Sequence, residues 1–186
     1  MVAMVNSDQD SFRGRNDDGS ESTATWIAAA NTNWTQVVDA NFRVRFLVQE
    51  VGGASFVLNS RLQYNKNAAG WNNVTSTSTN IKAVLSANFA DDDATTEQMA
   101  GPQAFVAGRM DENGTDMAGI TILSQDTEVE WCLQIVGTDV ANNDSIQLRV
   151  TDAGVTLNTY TNTPSVTVSK PLVFPLGTLM MMGVGR

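Results

Sequence analysis

The chain has 186 residues, a formal charge of −9 from 20 acidic against 11 basic side chains, and no histidine. Without histidine there is no Ser-His-Asp or Cys-His triad and no His-ligated zinc. The acidic balance also sets the chain against phosphate backbones and anionic lipid.

Residues 1–10 read as a polar N-terminal arm carrying a few small hydrophobes, Val2 and Met4 among them. The arm lacks a basic region followed by a long apolar run, so no secretory signal is expected, and no apolar stretch reaches transmembrane length. The acidic run NDDGSE (16–21) has the oxygens of a calcium loop but not its alternating spacing or its glutamate twelve positions on. It reads instead as a polar turn whose side chains bond local backbone N–H groups. Trp34 lies in the polar stretch NTNWTQ, where an exposed ring could stack on a sugar, but packing under a loop is the simpler reading.

From Phe42 the pattern becomes that of strands. Phe42, Val44, Phe46 and Val48 alternate with Arg43, Arg45, Leu47 and Gln49, the period-two signature of a half-buried strand. Gly52-Gly53 ends it, and a second alternation runs from Phe56 to Asn65, with a further short strand at Trp71 to Val74. More strands are expected at 81–87, 104–108, 119–123, 128–137, 145–151, 155–160 and 165–169. Asn113-Gly114 and Ala153-Gly154 mark the sharpest turns between them. The stretch 94–101 reads as a short helix. Phe46, Phe56, Tyr64 and Trp131, at alternating apolar positions, are expected in the core.

The loops 90–97 and 140–144 cluster carboxylate and amide oxygens; solvated loops are the simpler reading than a cation site, and no metal, cofactor or catalytic residue is assigned. Cys132 is the one cysteine, so no intrachain disulfide forms, and within VEWCLQIV (129–136) it reads as a small core residue. Many short strands at even intervals indicate an all-β, antiparallel Greek-key β-sandwich over 11–169.

The stretches SFRGRNDDGSESTATWIAA (11–29), FRVRFLVQE (42–50), RLQYNKNAAGWNNV (61–74), VEWCLQIV (129–136), NDSIQLRVT (143–151) and SVTVS (165–169) together resemble an immunoglobulin-like module of tailed-bacteriophage virion proteins. The resemblance implies an entry strand, a turn at 15–19, a second strand bearing Trp26, and Tyr64 and Trp71 as aromatic anchors. It brings no catalytic residues.

Residues 170–186 form an apolar C-terminal arm outside that likeness. Leu172, Val173, Phe174, Leu176, Leu179, Met180, Met181 and Met182 leave it almost without polar side chains, and Pro171 and Pro175 forbid a regular helix or central strand. Exposed, such a segment is an aggregation liability, so it is expected to pack against its own domain or a neighbouring subunit. These features lead to an expected non-enzymatic virion structural protein that decorates or cements a capsid. It would bind the major capsid protein lattice as a symmetric oligomer, a trimer by preference, after assembly in the host cytoplasm. The expected alternative is a receptor- or glycan-binding module of a head or tail fibre.

Overall fold

The computed structural model describes residues 3–171, and every described element is a strand or a connection between strands. Two larger sheets share one core. The first is built on β3 (Asn41–Glu50), with β1 (Ser7–Asn16) antiparallel on one side and β11 (Gln125–Ile135) antiparallel on the other. Beyond these lie β14 (Thr159–Tyr160), parallel to β1, and β7 (Ile81–Ala83), antiparallel to β11. Two short strands, β8 (Ala104–Val106) and β9 (Met110–Asp111), also run parallel to β11.

The second sheet is built on β12 (Ser145–Asp152), with β5 (Ser60–Lys66) and β15 (Ser165–Ser169) antiparallel to it. Its edges are β6 (Asn72–Asn73), beside β5, and β2 (Trp34–Val37), parallel to β15; β13 (Val155–Thr156) returns on β12. A separate pair joins β4 (Phe56–Leu58) to β10 (Ile120–Ile122). The all-β expectation holds, with a qualification: β14, β8, β9 and β2 each pair in parallel, because long connections carry the chain back to the same end of a sheet before these short strands form.

Alternation builds the core. Phe42, Val44, Phe46 and Val48 of β3 and Val129, Trp131, Leu133 and Ile135 of β11 meet Leu62 and Tyr64 of β5, Ile146, Leu148 and Val150 of β12, and Val166 and Val168 of β15. Phe46 packs its ring edge-on to Trp131, with centroids 5.9 Å apart. The β12–β13 connection is the Ala153-Gly154 turn read from the sequence. Both residues have positive φ, 46° and 89°, as a two-residue type I′ hairpin requires.

Several expectations are corrected. Residues 7–10 are not arm but strand: Ser7 and Gln9 are buried, and Gln9 spans the core by donating to Asn162 O at 2.6 Å and accepting from Val150 N at 2.7 Å. Trp26 forms a single bridge to Arg15 and no strand. The expected strand 81–87 ends at Ala83. No helix forms at 94–101, because backbone N–H groups there bond carboxylates of other segments in place of one another: Thr96 N to Glu21, and Gln98 N and Met99 N to Glu128.

Trp34 is not exposed. It is 6% accessible, with its ring tilted against Phe12 at 6.4 Å and edge-on to Phe42 at 6.2 Å. The polar neighbourhood in sequence arises because Trp34 points inward from an edge strand whose alternate residues, Thr35 and Val37, face out, so the ring packs in the core and is no candidate for a sugar. Gly14 makes room for it: a Cβ at Gly14 would lie 2.9 Å from Trp34 ring atoms. Gly14→Ala should therefore lower unfolding stability by about 1–3 kcal/mol through overpacking, measured by denaturant titration. The paired variant with Trp34→Phe should recover part of that loss.

Candidate binding surfaces

The outward face of the first sheet is as buried as its inner face. Register places Arg15 beside Arg43 and Arg45 beside Glu130, so alternate charges on three neighbouring strands converge. Glu130 receives Arg15 Nη1 and Arg43 Nη1 at 3.2 Å each, and Arg45 Nε as well. Arg45 also donates through Nη1 to Glu128 Oε2 at 2.8 Å and through Nη2 to Glu21 Oε1 at 2.5 Å. Arg43 reaches Asp17 Oδ1 with Nε at 2.8 Å and Gly19 O with Nη2. The acidic turn 16–21 thus supplies Asp17 and Glu21 to two sheet arginines, while Asp18 accepts Thr25 N at 2.8 Å and holds the turn itself. This is the structural reading of the calcium-like motif.

Glu128 fastens the opposite loop, its Oε1 accepting Gln98 N and Met99 N at 2.7 Å each. Burial pushes the Glu128 carboxyl up, the donors from Met99 and Arg45 offsetting this only in part. For Asp17, burial is outweighed by Ser86, Asn88 and Arg43, which hold its carboxyl below the ordinary range. Cys132 lies beneath the same loops; burial and then the Asp17 charge push its thiol well above the ordinary range, leaving it a core residue in both place and chemistry.

At one end of β3 the buried Glu50 carboxylate gathers three segments. Its Oε1 accepts Asn6 N at 3.1 Å and Gly52 N at 2.8 Å, and its Oε2 accepts Gly53 N at 3.1 Å and Ser124 N at 3.0 Å. Burial opposes the charge, but four backbone donors more than offset it, so the Glu50 carboxyl sits below the usual glutamate range. Met4, Val51 and Leu123 stand exposed around this anchor. At the opposite end, Lys170 pins the chain leaving β15: its backbone N–H donates to Asn142 Oδ1 at 2.9 Å and its Nζ to Gly137 O at 2.7 Å. Of the arm residues singled out in the sequence, Val2 and the eight from Leu172 to Met182 lie outside the described residues, and Met4 is exposed.

The outward face of the second sheet is partly exposed: Arg149 and Gln147 are half-buried and Asn73 is exposed, while Gln63 and Asn65 between them are buried. There Arg149, Gln63 and Asn73 form one row across β12, β5 and β6. Arg149 donates Nε and Nη2 to Gln63 Oε1 at 3.0 and 2.8 Å, and Gln63 Nε2 donates to Asn73 Oδ1 at 2.9 Å. The Arg149 guanidinium also lies 4.1 Å from the Trp71 ring centroid and 5.6 Å from that of Tyr160. The acidic loops are tied internally: Asp91 Oδ2 accepts Asn113 Nδ2 at 2.6 Å and Asp144 Oδ2 accepts Ala141 N at 2.8 Å. Among the described residues no group of three or more His, Cys, Asp or Glu is placed to hold a metal ion.

Sequence reasoning missed Glu50, the arginine–carboxylate network and the Arg149 row. The network had a signal in the facing alternations Arg43–Arg45 and Glu128–Glu130, two strands of opposite sign at one period. The other two rest on long-range pairings. No family model, curated protein or solved structure matches the chain.

Two outcomes follow for stability. Glu130→Gln leaves three buried guanidiniums without their shared charge and should cost about 3–5 kcal/mol in denaturant unfolding. Glu50→Gln replaces an acceptor oxygen with an N–H₂ that faces backbone donors, and should destabilise at neutral pH. Because the Glu50 carboxyl is depressed in the folded state, its contribution is full above the unfolded value of about 4.3 and fades as pH falls through the lower folded value. The stability gap between the parent and Glu50→Gln should accordingly narrow below about pH 4 in thermal melts across that range.

Proposed function

We propose that this chain is a non-enzymatic structural protein of a tailed-phage virion, an immunoglobulin-like sandwich that fastens to a lattice of major capsid protein and works as a symmetric oligomer, a trimer by preference. The observation that carries the reading is that both terminal segments are anchored, and at opposite ends of the same central strand. Glu50 holds the segment before Ser7 at the Glu50 end of β3. Lys170 is tied to the 137–142 turn, whose Gly137 N–H bonds Asp39 just before the Asn41 end. Ten residues of strand separate those ends by roughly 30 Å. Segments leaving a rigid body at opposite ends suit a part that spans two neighbours.

The apolar sequence after Pro171 supplies the adhesive. Burying five or six large apolar side chains offers on the order of 10 kcal/mol gross, before ordering costs. Repetition by symmetry multiplies that gain across a shell. The charged groups most deeply placed, Arg15, Arg43, Arg45, Glu128 and Glu130, are committed to holding loops, which agrees with a scaffold in place of a reaction centre.

Co-sedimentation with assembled shells tests the reading. Deleting residues 171–186 should lower shell occupancy at least tenfold, and deleting 1–4, which leaves the Asn6 bond to Glu50 in place, should weaken it further with the melting of the sandwich nearly unchanged. Full occupancy by the doubly shortened chain would refute fastening through the arms.

A further inference from the structure

The outward face of the second sheet carries chemistry that fastening by the arms leaves unused. On a chain of net charge −9, the outward strand positions of β2, β15, β12, β5 and β6 hold hydroxyls, amides, Val37 and arginines, and no carboxylate. Arg61, near one margin, is answered by Asp116 from a loop. Arg149, nearer the middle, makes no ion pair among the described residues. Its guanidinium is nonetheless held in place, clamped along one edge by Gln63 Oε1 and lying over the rings of Trp71 and Tyr160. Nη1 is left without a bonding partner among the described residues.

One row along the same strands, Gln147 stands directly across from Asn65. The Gln147 side chain makes no bond among the described residues, and Asn65 uses only its Oδ1, accepting Gly70 N at 2.9 Å. Two adjacent rows therefore offer a fixed cation, the half-buried amide of Gln147, the exposed amide of Asn73 and the half-exposed indole of Trp71 on one sheet face, with the Asn65 amide set deeper between them.

We infer that this face binds a carboxylate-bearing polysaccharide. A sugar carboxylate meets Arg149 Nη1 in a charge-assisted hydrogen bond, ring hydroxyls meet the amides of Gln147, Asn65 and Asn73, and an apolar sugar face lies against Trp71. Because Gln63 and the two rings already hold the guanidinium, little side-chain freedom is lost on binding. The acidic loops elsewhere do not prevent approach, since at about 0.15 M salt charges more than ~8 Å away are largely screened. An acidic peptide is the poorer match: extended peptides pair with sheet edges and fill side-chain pockets, whereas here the free groups lie on the face and suit a polyhydroxylated chain.

The test titrates the full chain with oligogalacturonate, with neutral dextran oligomers and with poly-glutamate, read by calorimetry and tryptophan fluorescence. Oligogalacturonate should bind at least tenfold tighter than either of the others, and should lose at least tenfold in affinity with Arg149→Gln at an unchanged melting temperature. Arg149→Lys, which keeps the charge but not the two-bond clamp, should also bind more weakly. If Arg149→Gln fails to fold, the pair Gln147→Ala with Asn73→Ala, the first half-buried and the second exposed, replaces it and should weaken binding several-fold. Absence of binding, equal affinity for dextran or poly-glutamate, or affinity indifferent to these substitutions would overturn the inference. The chain lacking residues 171–186 should bind the glycan normally, so this outcome stands apart from that of shell fastening.

Discussion

Glu130 takes three guanidinium groups at once in a space closed to water, and the first sheet depends on that arrangement. Three arginines side by side on neighbouring strands repel one another, and each would be costly to bury alone. Their burial is tolerable only because Glu130, Glu128, Asp17 and Glu21 reach them from the adjoining strand and from the turn that follows β1. The network therefore couples two things that sequence keeps apart: the pairing of β1, β3 and β11, and the closure of the loops around 17–25 and 86–99 over the sheet. A sheet face that alternation alone would assign to solvent becomes a second interior, polar where the other is apolar.

The same economy governs the ends of the molecule. One carboxylate, Glu50, satisfies four backbone donors from three segments, and one lysine, Lys170, ties the exit of β15 to the turn after β11. Buried backbone N–H groups need acceptors whatever the function. Meeting that need here also fixes where each terminal segment leaves the sandwich. The points where the terminal segments leave the sandwich thus follow from hydrogen-bond satisfaction, while the outward face of the second sheet holds the Arg149 guanidinium in place with no ion pair among the described residues.

The elements best read from sequence were those whose pattern was local. Phe42 to Val48, the β12 alternation and the Ala153-Gly154 turn each declare themselves within a few residues, because side-chain direction alternates strictly along a strand and a two-residue hairpin needs positive φ at both positions. The partners of Trp34 and the loop conformation of residues 94–101 were beyond the sequence pattern for a common reason. The burial of the first depends on Phe12, Gly14 and Phe42, and the loop conformation of the second on Glu21 and Glu128, all contributed by other elements of the fold. Of the candidate surfaces, the opposed charges of β3 and β11 were legible as patterns but not as partners, and Arg149 carried no local mark.

Composition and periodicity on their own determined that this is an all-β chain with an apolar core, without histidine chemistry and with acidic turns, because those properties are carried by each residue and its nearest neighbours. Only the tertiary structure decided which carboxylate answers which arginine, that Trp34 turns inward, and which sheet face remains partly exposed. The ion pairs join residues 24 to 115 positions apart and the Trp34 ring meets partners on other strands, and the energy of an ion pair or a packed ring depends on distance in space, about which spacing along the chain is silent.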